Sequence, residues 1–505
     1  MRLPTPTLLA AAAALACAAC EEETLDLVPA DRVDIELFYT EPVDAEAGLL
    51  GVYSSVLRQW QPTLFINLGL SGHELYDANR GLANRPVGYR PALRVDNDGG
   101  TASLWRDGYA ALTQANLAIA RIPGISPGLY RGSDRQRESV AEAKFLRAYV
   151  YYHLVQLYGD VPLILDFPTT SNPVPNRVTR TPAAEVWAQI RADLADAIAD
   201  LPLDHDDIRA FTFDEADGPL SNTKGRATKN AARLLMARVH LRFGEWAEAA
   251  RLADDVIASG AQSLVGDWTR IFDNRNEPSQ LTEEAIWEVP AFRLEFDGTG
   301  GYFFNVETPS RLSGTPDNAL AAFDEPGADL RAGWSLIPSS APERLTAAKY
   351  YHRGGGWGNP QRFNFVIFRL AEAYLIRAEA RNELAYPDPD ALADVNVLRA
   401  RTAGVVNDSV YVGVAPVTFD DLDSQADMRE FIRAERFREL MYEGVHFLDL
   451  LRYDSYDGGE RALEATFLDD PGVEGADPGK LLLPLPSRDL RVNPNLTQNP
   501  PYRRG

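Results

Sequence analysis

Residues 228–258 constrain the fold more than any other stretch of the chain. A helical run reaches Phe243, Gly244-Glu245 supply a turn, and a second run begins at Trp246. There Trp246, Ala249, Ala250 and Ala253 recur at i, i+3, i+4 and i+7, one face of a helix. Small side chains at Ala231, Ala249 and Ala253, set among large ones such as Leu235, let two helices approach closely and interlock. The same spacing returns at Phe145, Ala148, Tyr149 and Tyr152, at Leu370, Ala373 and Tyr374, and at Phe437, Leu440 and Met441. Further helices are expected near 41–58, 103–121, 183–200, 390–401 and 426–443, with one strand at Ala285–Val289. The chain is therefore expected to be mainly α.

The 228–258 pair resembles a tetratricopeptide unit, with glycine at its turn and alanines at its contact. Residues 366–401 look like a degenerate second unit, and 139–200 like another carrying a long insertion. The period is irregular, so the expectation is one decorated helical scaffold over 41–505 with a few short strands, rather than a clean repeat array. Two blocks, near 62–100 and 260–360, read as irregular. The first is rich in Gly, Asn, Asp and Arg, the second in Gly, Pro and aromatics. Long structured loops on a rigid frame are the usual place for a site.

The amino terminus carries one positive charge, Arg2, then an apolar run from Leu8 to Ala16. That run is far short of the roughly 20 residues needed to span a bilayer. It has the proportions of a secretory signal, read as residues 1–19. Leu15-Ala16-Cys17-Ala18-Ala19-Cys20 resembles the lipobox of bacterial lipoproteins, whose cysteine is acylated. Cys20 is the expected lipidation site, because Ala18-Ala19 precede it and Glu21-Glu22-Glu23 follow; Cys17 is the alternative. Residues 20–40 then form an acidic tether. These are the only two cysteines, so a mature protein starting at Cys20 holds no internal disulfide, and no later run of 18 apolar residues offers another anchor.

The net charge of −23 argues against nucleic acid and against docking on anionic lipid. Arginine outnumbers lysine 45 to 5, which by itself carries no functional message. The histidines at 73, 153, 205, 240, 352 and 446 form no His-Glu-x-x-His pattern, so no zinc site is expected. Asp96-Asn97-Asp98-Gly99 lacks the remaining ligands of a calcium loop, and Asp204, Asp206 and Asp207 read as a solvated acidic loop. No Gly-x-Ser-x-Gly elbow or phosphate-binding loop is present. Neither catalysis nor a cofactor is expected. Ring faces with polar neighbours on loops suit a sugar. The candidates are Tyr76, Asp77, Asn79 and Arg80 in the first block, and Tyr302, Trp334, Tyr350 and Trp357 in the second. Trp105, Trp187 and Trp246 sit on helical faces and are expected in the core.

Several segments together resemble the SusD/RagB-like nutrient-binding lipoproteins of the Bacteroidetes outer membrane. They are Cys20-Glu-Glu-Glu-Thr-Leu-Asp, Glu142-Ala-Lys-Phe-Leu-Arg-Ala-Tyr149 with Tyr158-Gly-Asp-Val-Pro162, and Gly225-Arg-Ala-Thr-Lys229. The others are Arg433-Ala-Glu-Arg-Phe-Arg-Glu-Leu440 running to Phe447-Leu-Asp-Leu-Leu-Arg-Tyr453, and the tail Leu483-Pro-Leu-Pro486 with Asn493-Pro-Asn-Leu-Thr-Gln-Asn-Pro500. Physically these motifs read as architecture: charges at 433–439 can pair at helical spacing, and the tail supplies wrapping turns. The resemblance implies four tetratricopeptide-like helix pairs plus a variable loop region, and no enzymatic activity. It implies a partner, a SusC-like TonB-dependent transporter barrel, over which the lipoprotein forms a lid. It implies an oligosaccharide cargo, with a peptide as the alternative. Two readings compete with it: a periplasm-facing helical scaffold lipoprotein that binds proteins, and a surface glycosidase.

Overall fold

A computed structural model of the protein describes residues 38–71, 99–167, 178–208, 225–272, 282–289, 322–338, 345–347 and 365–456, together with 320, 349 and 481–503. The architecture is mainly helical. It opens with α1 (Pro42–Tyr53), whose first turn is fixed by Asp44: its carboxylate accepts from the backbone N–H groups of Thr40 and Glu41 at 2.9 and 2.8 Å. Wider turns at Ser54–Trp60 lead into α2 (Gln61–Ser71). Here the structure departs from expectation, since residues 62–71 belong to a helix. Leu64, Phe65 and Leu68 are buried one turn apart, and that burial outweighs the local preference of the Asn67-Leu68-Gly69 stretch. Helix α3 (Gly99–Arg121) begins four residues earlier than its periodicity indicated.

Helix α4 (Arg135–Tyr158) is the centre of the molecule. Its sequence indicated one apolar face, yet from Ala141 onward nearly every side chain is buried. It lies between α1, α3 and α5 (Ala183–Asp200), and a small sheet meets its remaining side. Phe145 packs edge-on against Trp287, with ring centroids 5.0 Å apart, and Tyr149 meets Phe368 at 6.0 Å. Gly159, at φ 74, ends the helix in a conformation that L side chains rarely adopt.

The helix pairs indicated by the sequence are present. α4 packs on α5, and α6 (Lys229–Arg242) packs on α7 (Trp246–Ala258) across the Gly244 turn. β1 (Ala285–Val289) falls on the expected residues. Next come α8 (Leu330–Ser335) and the antiparallel pair β2 (Leu336–Pro338) and β3 (Leu345–Ala347). β4 (Phe365–Arg369) pairs antiparallel with β1, so the pair expected at 366–401 actually starts at Leu370, after this strand. That pair is α9 (Leu370–Leu384) with α10 (Pro389–Arg399), and α9 also packs on α7, extending the stack. A hairpin of β5 (Ala403–Val406) and β6 (Ser409–Val412) precedes α11 (Gln425–Leu440), α12 (His446–Tyr456) and the short α13 (Ser487–Val492). The tail wraps the centre as its turns indicated: Asn499 Nδ2 donates to the carbonyls of Tyr158 and Leu483 at 3.1 and 2.8 Å. No helix among the described residues is long and apolar enough to cross a membrane.

Candidate functional site

Two segments that carry candidate ligand residues join the frame at one end of a sheet, and the helix that leads to a third packs beside that end. Val289, the last residue of β1, pairs with Phe365, the first of β4. The segments 290–319 and 350–364 therefore join the sheet at the same end. The Phe365 ring lies 4.9 Å, edge-on, from Phe65 of α2, the helix that ends at Ser71 and leads to 72–98. The turn between α11 and α12 closes the group. A Cβ placed on Gly444 would lie 3.5 Å from Phe65 and 3.6 Å from Leu68, so this turn rests directly on α2.

What holds these flanks is a buried ionic lattice rather than apolar packing alone. Glu435 and Glu439 stand one turn apart on α11, both fully buried. Arg331 of α8 donates to Glu435 at 2.6 Å and to Glu439 at 2.8 Å. Glu439 also receives Arg369 at 2.6 Å, Arg401 at 2.8 Å and the indole N–H of Trp268 at 2.9 Å. Glu435 is bound by Arg399 at 3.1 Å. Burial pushes the Glu439 carboxyl up, but Arg369, Arg401 and Arg331 overcome it and hold the group well below its ordinary range. Glu435 is lowered by the same balance. Between these two glutamates on α11, Arg436 joins Asp449 and Glu372, and Glu372 also takes Arg238 of α6.

Lys349 enters this lattice as a point charge. Its amine donates to the carbonyls of Glu439 and Met441 at 2.8 and 3.0 Å and to Glu443 at 2.6 Å. Burial pushes the amine down to about 8, an effect that Glu443 only partly offsets. A second lattice ties α1 to the centre. Glu142 accepts from the Tyr53 hydroxyl at 2.6 Å and pairs with Arg135 at 2.6 Å, and Arg226 binds Glu46 at 2.7 Å and reaches Glu142 at 3.4 Å. Two motifs that lie far apart in sequence, around Glu142 and Arg226, thus meet in space.

Charges at 433–439 were expected to pair along their own helix. Arg433 with Glu430 and Arg438 with Glu435 do so, but Glu439 and Arg436 reach across to other elements. The abundance of arginine, which carries no message in the sequence alone, has a structural role. Arg135, Arg331, Arg369 and Arg436 are among the largest fully buried side chains, so much of that arginine is internal structure. A helix with acids and arginines on every face, such as Arg433–Leu440, was the available signal.

Of the candidate ligand residues, Tyr76, Asp77, Asn79, Arg80, Tyr302, Tyr350 and Trp357 lie outside the described residues, as does Cys20. Trp334 is described, and its placement corrects the expectation. It lies on helix α8, which Asp329 caps by accepting the N–H of Arg331 at 2.9 Å. Its ring is 8% exposed within the core, and its indole N–H donates to the Lys349 carbonyl at 3.0 Å. Four residues after Leu330 on a capped helix, it turns inward, so it presents no open ring face. Trp105 and Trp187 are buried and Trp246 packs against the core, as expected.

His153 is buried between the rings of Trp60, Tyr149 and Tyr152. Its Nδ1 lies 2.9 Å from the Tyr149 carbonyl. Asp204 caps a short turn by accepting the N–H of Asp206 at 3.0 Å. No group of acidic, histidine and cysteine side chains among the described residues has the arrangement of a metal site.

Residues 346–502 match the SusD family, and residues 89–241 match a family described as starch-binding, associating with the outer membrane. The chain is a SusD/RagB-like protein. It is 27% identical to SusD-like protein P2 of Formosa agariphila, over 92% of this chain and 94% of that one. A solved SusD homolog from Bacteroides thetaiotaomicron superposes with a TM-score of 0.71 at 20% identity, covering 95% of this chain and all of the other. A laminarin-binding SusD-like protein superposes with a TM-score of 0.67 at 22% identity, over 92% and 100% of the two chains. At these identities the superpositions establish a shared fold. The match at 346–502 covers α9 to α12 and the tail, so the ionic lattice of this SusD-like chain lies largely inside it.

Proposed function

We propose that this SusD-like chain captures an oligosaccharide at the bacterial surface and delivers it, as a lid, to a SusC-like TonB-dependent outer-membrane transporter. It binds its cargo without cleaving it. In this reading residues 1–19 are a signal peptide, Cys20 carries the lipid, and the acidic segment through residue 40 is the leash of the lid. The observation that carries the reading is the meeting of two segment flanks, Val289 and Phe365, at one end of the sheet, with α2, the helix that leads to the third segment, packed there through Phe65. A joint of this kind can hold ring faces and polar groups from separate segments at fixed spacing around one ligand. The names of the similar proteins supply the ligand class: one similar fold binds laminarin, and one matching family is described as starch-binding.

The test uses a soluble form in which Cys20→Ala removes the anchor. It is titrated by calorimetry with laminarin oligosaccharides, starch oligosaccharides and mixed peptides. Saturable binding of one glycan class, with the glycan recovered at its original length, is the expected result. Binding of peptides with no response to any glycan transfers the reading to peptide capture, and recovery of shortened glycan overturns the non-catalytic assignment.

A further inference from the structure

Lys349 sits where the frame ends and residues 350–364 begin, yet it is 1% exposed. Its surroundings form a closed cage for an ammonium group. The Trp268 and Phe272 rings lie 5.0 and 4.7 Å from Nζ. The carbonyls of Glu439 and Met441 and the carboxylate of Glu443 take its three protons. Two of those acceptors have a particular origin. α11 ends at Leu440, and the last carbonyls of any helix lack partners within it. Lys349 supplies partners from outside, with Arg369 Nη2 at 2.6 Å from the same Glu439 carbonyl. A cation at a helix C-terminus is also favoured by the helix dipole.

The turn that follows is unusual in its own right. Tyr442 is a buried non-glycine residue at φ 63, and Gly444 lies at φ 74. A left-handed backbone at a bulky residue persists only where its surroundings hold it. Lys349 bonds to the residues on either side of Tyr442, namely Met441 and Glu443. On its far side the turn rests on Phe65 and Leu68 of α2. On the near side the Lys349 carbonyl accepts the Trp334 indole N–H, joining it to α8.

We propose that Lys349 is a positioning residue: its ammonium, held in the Trp268–Phe272–Glu443 cage, fastens the β2–β3 side of the molecule to the α11–α12 turn and so fixes the position of Lys349 itself, the point where the frame ends, relative to α2. It does not touch ligand in this scheme. The spacing it sets matters for ligand capture only if the glycan reading above is correct, and the experiment separates the two.

Amide exchange is measured on the full chain carrying Lys349→Met, with Lys349→Gln as a milder variant that keeps two N–H donors without charge. Exchange should rise by about tenfold or more, together, at Leu345–Ala347 and at Glu443–Val445, while α4 and α6 keep their protection. Lys349→Gln should give a smaller rise at the same two places, and it decides the matter if Lys349→Met does not fold. No change, a rise at only one of the two places, or a rise throughout α4 and α6 overturns the assignment. Laminarin oligosaccharide is the ligand probe. Affinity weakened by about tenfold beside the local exchange effect supports a role in capture. Undiminished affinity beside that exchange effect overturns the role in capture. If the unmodified protein ignores laminarin, the glycan reading fails on this probe while the exchange result still decides the role of Lys349.

Discussion

Glu439→Gln tests whether the ionic lattice stabilises the frame as its geometry implies. The substitution preserves size and one acceptor oxygen but removes the charge that Arg331, Arg369 and Arg401 share. It also turns an amide N–H2 toward cations. All four side chains are buried, so water cannot replace the lost charge. Removing one partner of a buried ion pair costs about 3–5 kcal/mol, because it strands the other charge. Glu435, Glu443 and Glu284 remain nearby, which places the expected loss toward the lower end of that range. The control is Glu430→Gln: the Glu430 side chain is 71% exposed where it meets Arg433, and loss of its charge should cost about 1 kcal/mol or less. Urea unfolding at neutral pH, followed by two probes to check cooperativity, gives both numbers. The sign of the pH dependence is a second check. The folded Glu439 carboxyl titrates well below its unfolded value of 4.5, so its contribution is complete above that value and drains away as pH falls toward the folded one. The gap between wild type and Glu439→Gln should therefore narrow steadily below pH 4.5. A loss no larger than that of Glu430→Gln, or a gap that stays constant or widens in acid, refutes the reasoning.

Burial lowers the His153 imidazole from 6.5 to about 3, so the unfolded chain binds the extra proton and stability falls as pH drops between those values. His153→Phe, placed among the same rings, should lose about 3 kcal/mol less than wild type between pH 7 and pH 4, read from urea midpoints at the two pH values. An identical acid loss in both proteins would contradict it. Trp334→Ala should destabilise by about 3–5 kcal/mol through the cavity it leaves. A variant as stable as wild type would mean that the ring is not in the core.

Much of the helical frame is legible in the sequence because its helices follow local rules. Ala183–Asp200 and the Gly244 turn fall where spacing and turn chemistry put them, and Ala285–Val289 is a short β-branched and aromatic run. Errors arose where tertiary burial overrode local signals. Asn67 and Gly69 read as loop residues, but their neighbours Leu64, Phe65 and Leu68 face the core and keep the helix. Trp334 follows Gly333 in a Gly- and Pro-rich block, and only the cap at Asp329 reveals a helix there. The joint itself could not be read from one dimension. Arg369 pairs with Glu439 and Arg238 with Glu372, partners set 70 and 134 residues apart, and no spacing rule links them. The motif around Glu142 and the motif around Arg226 were each visible as strings, while their contact belongs to the folded chain.

The lattice also explains why the frame uses arginine where a larger apolar core would be more stabilising. Apolar cores accept many side-chain combinations of similar total volume, losing uniqueness before they lose stability. A guanidinium bound at two edges is less permissive, because its donors are fixed in a planar fork. Arg331 meets Asp329, Glu435 and Glu439 at once, and Arg369 meets Glu284, Glu439 and Glu443. Through those two side chains α8, the β1–β4 sheet, α11 and the turn after α11 are held at one mutual geometry. The flanks at Val289 and Phe365 belong to these elements, and Lys349 bonds to the turn after α11. Among the described residues these contacts run between frame elements, so a segment attached there starts from a fixed point. A frame built this way keeps one outline because its arginine–glutamate joint admits one arrangement of the elements it ties together.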